Sequence, residues 1–69
     1  MWTVVYMAQS QEVVDALKGI LEQEGLLVKV RPVNRSVDGE VSYFEVLVPE
    51  SEVEEAHGII IEKGFLTQS

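Results

Sequence analysis

The hydrophobic and polar positions change period along the chain, and each change marks an element. "WTVVYM", Trp2 to Met7, is rich in β-branched and aromatic residues and is followed by "AQS", which predicts a strand ending in a short loop. From Ser10 the period becomes helical: Val13, Val14, Leu17, Ile20 and Leu21 form one apolar stripe, with Glu12, Asp15, Lys18 and Glu22 outside it. Ser10 has the chemistry of an N-cap, and Gly25 that of a left-handed helix stop. "LLVKVRPV" then alternates, with Leu26, Val28 and Val30 on one face and Leu27, Lys29 and Arg31 on the other. This predicts a half-buried strand with Pro32 at its end.

"NRSVDGE" supplies turn residues, with Asp38-Gly39 as the tightest bend, and "VSYFEVLV" returns as a third strand, completing a hairpin. Pro49 stops that strand. Ser51 followed by Glu54 has the spacing of a capping box for a second helix, whose buried stripe is expected to be Val53, Ala56, Ile60 and Ile61 and whose stop is Gly64. "FLTQ" has the composition of a short fourth strand. The order β-α-β-β-α, with a last β if that tail pairs, predicts a single α+β domain over 1–69. A right-handed split β-α-β of this kind gives the ferredoxin-like sandwich, an antiparallel sheet with both helices on one face.

Twelve acids against five bases give a net charge of −7, a field that repels phosphate backbones and argues against a nucleic-acid partner. The 46% hydrophobic content is enough for a core, so the acidity reads as a solvated surface rather than disorder. There are no cysteines, which excludes disulfides and thiolate chemistry and favours the cytoplasm. The apolar run at Trp2 is too short for a signal segment or a membrane span, so no membrane role is expected. A 69-residue domain buries only about 60% of its unfolded surface, a margin that oligomerisation would widen.

"LVPESEVEEAHGIII" gathers four carboxylates and the single histidine. Glu54 and His57 have the spacing of one half of a di-metal carboxylate site, but such a site needs a second pair and the first helix offers no histidine. Negative charge at the start of a helix explains the same acids through the helix dipole. His57 as a general base would have only Glu54 to orient it. No serine lies in a nucleophile elbow and no glycines form a phosphate loop. No metal, cofactor or catalytic residue is therefore expected, and the chain is not expected to be an enzyme. Lys29, Arg31, Asn34 and Arg35 cluster near the end of the second strand. They are candidates for binding a small anionic ligand, although Lys and Arg on an edge strand also guard against sheet aggregation.

The segments "MWTVVYMA", "EGLLVKVRPV" and "YFEVLVPESEVEEAHGII" resemble a family of small bacterial domains grouped as signal-transducing proteins, with a fold similar to the nitrogen-regulatory PII-like proteins. The resemblance runs from Met1 to about Ile61 and is most specific from Glu45 to Ala56. It implies a regulatory role without catalytic residues to carry over. The loop 34–40 is too short to match the long effector loop of PII-like proteins, which argues against nucleotide binding. Some relatives carry the label of glutamate decarboxylase. That activity is rejected because a pyridoxal-phosphate enzyme needs a lysine enclosed in a cofactor pocket. Lys18, Lys29 and Lys63 fall on a helix surface, an edge strand and a helix end.

The expected function is a cytoplasmic binding or regulatory module acting as a homodimer or on a protein partner. The alternative is a small-molecule or anion sensor built on Arg31 and Arg35. Alternation assigns Phe44, Val46 and Val48 to the helix side, and Trp2, Val4, Tyr6, Tyr43 and Leu47 to the open face, where they are expected to form the interface.

Overall fold

The computed structural model describes residues 1–34 and 41–65. They form, in order, β1 (Trp2–Ala8), α1 (Gln11–Gln23), β2 (Lys29–Asn34), β3 (Val41–Pro49), a 3-10 turn (Glu50–Glu52) and α2 (Val53–Glu62). The architecture is α+β: a three-stranded sheet of order β1-β3-β2, in which both pairings are antiparallel, with two helices. The expected bend at Asp38-Gly39 and the expected fourth strand from Leu66 onward lie outside the described residues.

Val46 and Val48 of β3 are fully buried in one core cluster with Val14, Leu17 and Leu21 of α1 and Ala56, Ile59 and Ile60 of α2. Strand alternation puts Val46 and Val48 on the same face, so both helices pack there. Phe44 packs against the same cluster. Ile59 and Ile60 are the buried isoleucines of α2, whereas Ile61, expected in the stripe, is 63% exposed. Three consecutive isoleucines span about 200° of helix, so one of them must face outward.

Both helices end in the same way. Gly25 has φ 89° and Gly64 has φ 86°. Around Gly25, its N–H donates to Glu22 O at 3.0 Å and Leu26 N–H donates to Leu21 O at 3.2 Å. Around Gly64, the equivalent bonds run to Ile61 O at 3.1 Å and from Phe65 to Ile60 O at 3.0 Å. These are Schellman closures, in which a left-handed residue lets the chain reverse and satisfy the last carbonyls. At the start of α1 the Ser10 hydroxyl accepts from Val13 N–H at 3.4 Å, as its cap chemistry predicts.

The start of α2 differs from expectation. The chain enters a 3-10 turn directly after Pro49, so Ser51 lies inside that turn, exposed, and Glu52 occupies the N-cap position without a side-chain cap bond. No capping box forms at Ser51. The Glu52 carboxylate instead accepts from Leu27 N–H at 3.0 Å, tying the lead-in to β2 to the start of α2.

β2 begins at Lys29, later than the alternating pattern suggests, and continues past Pro32 to Val33 and Asn34. Pro32 pairs with Phe44 within the strand rather than ending it. Its missing N–H is tolerated because β2 is an edge of the described sheet and bonds to a neighbour on one side only.

Candidate functional site

The face of the sheet opposite the helices is the candidate site. Pairing fixes its membership: Lys29, Leu47 and Val4 share one row across the three strands, and Arg31, Glu45 and Met7 share the next. Trp2 lies beyond Val4 on β1, and Tyr43 beyond Glu45 on β3. By the alternation that buries Val46 and Val48 under the helices, all of these project to the other side.

The register of β1 shifts between Val4 and Tyr6. Val4 pairs with Leu47 and Tyr6 with Val46, so Val5 is an extra residue, a β-bulge. Its consequence is a correction to the expected interface. Tyr6 stands on the helix side, where its hydroxyl donates to Phe65 O at 3.0 Å and its ring meets that of Phe65 edge to face, centroids 5.9 Å apart. Val5 is buried beside it. Met7 is turned to the open face in exchange and is 58% exposed. Nothing in "TVVYM" announces the bulge: it contains no glycine, and every residue in it suits a regular strand.

Trp2, Val4, Tyr43 and Leu47 lie on the open face as alternation assigns them. Trp2 and Val4 are 44% and 36% exposed. Leu47 is only 5% exposed, yet it does not belong to the core cluster under the helices. It is covered on the open side, where Lys29 Nζ reaches the Trp2 ring at 5.3 Å from its centroid. Lys29 and Trp2 belong to the two outer strands, so the contact passes over β3 at Leu47.

The basic candidates are partly committed to partners within the chain. Arg31 Nε donates to Glu45 Oε1 at 2.8 Å and Arg31 Nη2 reaches the same oxygen, so the guanidinium forks onto one carboxylate. Lys29 lies over the indole. Asn34 is the last residue of β2, pairing with Val41, and Arg35 lies outside the described residues. The structure therefore brings Lys29 and Arg31 together on the open face, but as the flank of an apolar surface. Glu45 completes that flank and was missed because its position in an alternating strand carries no sign of its partner.

Elsewhere His57 and Glu54 are exposed on α2. Among the described residues no three His, Asp or Glu side chains converge where a metal ion could be held. No helix there is long and apolar enough to cross a membrane. Comparison with family models, with curated proteins and with solved structures found no match to this chain.

Proposed function

We propose that the chain is a non-enzymatic binding or regulatory module of the cytoplasm that works through the open face of its sheet, by self-association or by docking a protein partner. The observation that carries this reading is the exposure of Trp2, Val4 and Met7 along one strand of a face that no described element covers. Antiparallel sheets that present one face to water usually make it polar, and contiguous apolar surface rimmed by polar groups marks interaction sites. The strand order β1-β3-β2, with both helices on one side, supports a ferredoxin-like arrangement, since a split β-α-β with right-handed crossover generates that order. Such a fold leaves one sheet face free, and the resemblance to small bacterial signal-transducing domains agrees with a role in regulation rather than turnover.

The sheet-face reading is stronger than the anion-sensor reading because Arg31 and Lys29 already have partners in Glu45 and Trp2. The net charge of −7 also disfavours phosphate-bearing ligands. The test is to compare the complexes formed by the wild type, including those with itself, with those formed by Met7→Glu. Loss of complexes on placing a charge at this exposed position supports the reading. Complexes identical in both proteins overturn it.

A further inference from the structure

The distribution of charge around the sheet says which partner fits this face. Nine of the twelve acids belong to the two helices and the turns at their ends, accompanied only by Lys18 and Lys63. The open face carries one acid, Glu45, against Lys29 and Arg31. Asp38 and Glu40 are the remaining acids and lie outside the described residues. The molecule is thus strongly negative on its helix layer and close to neutral on its open face.

Within that face the chemistry is segregated by strand. Its exposed apolar side chains, Trp2, Val4 and Met7, stand on β1, and its basic side chains, Lys29 and Arg31, on β2. A two-fold axis running along the β1 stripe would lay Val4 and Met7 against their copies, carry Arg31 to opposite, hydrated rims and leave the Lys29–Trp2 pair at one end of the stripe. That is the anatomy of a protein interface, apolar at the centre and polar around it. It also satisfies the self-complementarity that a closed symmetric dimer requires. The same arrangement keeps the two acidic helix layers on the outside, separated by two sheets about 10 Å apart and beyond the screening distance at physiological salt. Docking helix layer on helix layer would instead set acid against acid.

We propose that the occupant of the open face is a second copy of the chain, docked face to face with Val4 and Met7 at the centre and the Lys29–Trp2 pair beside them. The proposal rests on the reading of this face as a binding surface. Three strands about 4.8 Å apart, with a rise of about 3.4 Å per residue, give the whole face roughly 400 Å², of which stripe-on-stripe docking uses only part. A standard interface takes about 800 Å² from each partner, so the dimer is a reversible one that responds to concentration.

The experiment is sedimentation equilibrium of the intact chain from about 1 μM to about 1 mM, a range spanning weak and moderate association. The wild-type mass should rise from 7.7 kDa and level off at twice that value, with Trp2 emission moving to shorter wavelength over the same range. Raising salt from about 20 mM to about 150 mM should favour the dimer by screening the repulsion between acidic chains. Met7→Glu should remain at 7.7 kDa, and Ile61→Glu, altered at an exposed apolar position on α2, should follow the wild type. Far-UV circular dichroism verifies that both variants are folded. A wild type that stays monomeric, assembly that grows beyond two copies, or dimers lost in Ile61→Glu and kept in Met7→Glu would each overturn the proposal. A monomeric wild type that still captures a different protein through Met7 overturns the dimer but leaves the binding face. A monomer with no Met7-dependent capture overturns both.

Discussion

Lys29 Nζ lies 5.3 Å from the centroid of the Trp2 ring, although the two residues belong to opposite outer strands with β3 between them. The ammonium sits on the negative face of the indole while the aliphatic stem of Lys29 covers apolar surface. This accounts for the burial of Leu47 on a face that has no helix over it.

Removing the charge but keeping the stem separates the two effects. Lys29→Met should cost no more than about 1 kcal/mol, the scale of a cation–π contact at an exposed site, and should shift Trp2 emission. Lys29→Ala should cost more, because Leu47 then loses its cover. Urea titration followed by Trp2 fluorescence measures both, and equal costs would show that the stem does not shield Leu47.

At the start of α2, Glu52→Ala should destabilise by about 1 kcal/mol, through loss of the acceptor for Leu27 N–H. Glu52→Gln, which keeps an oxygen there, should cost less. Ser51→Ala should be nearly neutral because that hydroxyl makes no cap bond. Faster hydrogen exchange at the Leu27 amide in Glu52→Ala locates the effect.

Gly19 and Gly58 lie inside helices with open space where a Cβ would stand. Alanine at either position should stabilise by about 0.5–1 kcal/mol, since glycine loses the most backbone freedom on folding. Gly25→Ala should destabilise by about 1 kcal/mol despite equal space, because its φ of 89° is strained for any residue with a Cβ. Thermal melts of the three variants read these signs directly.

The elements legible in the sequence are those whose signals are local. The hydroxyl of Ser10 and the glycines at 25 and 64 act within a turn of where they stand, and the alternation of Phe44, Val46 and Val48 needs only a regular strand. Features set by neighbours distant in sequence were not legible. Ser51 has good cap chemistry, but the chain leaving Pro49 is already bonded back to the first residue, Glu50 N–H to Met1 O at 2.8 Å, and coils before Ser51 can act. Pro32 reads as a strand end unless it is known that its strand is an edge. The open face was legible in Trp2, Val4, Tyr43 and Leu47 and misread at Tyr6, where one extra residue reverses every side chain that follows.

That reversal yields the sharpest contrast between adjacent residues. Tyr6→Phe removes the hydroxyl that donates to Phe65 O and should cost about 1 kcal/mol. Tyr6→Glu would put a carboxylate among Phe65 and the core side chains, where an unpaired charge is costly enough to unfold a domain of this size. Met7→Glu, one residue on, adds its charge on the exposed face and should leave the fold intact. A regular strand without the bulge predicts the opposite, with Tyr6→Glu harmless and Met7→Glu disruptive. Chemical denaturation of the two glutamate variants therefore decides whether Val5 is the extra residue, and with it which of these side chains belongs to the open face.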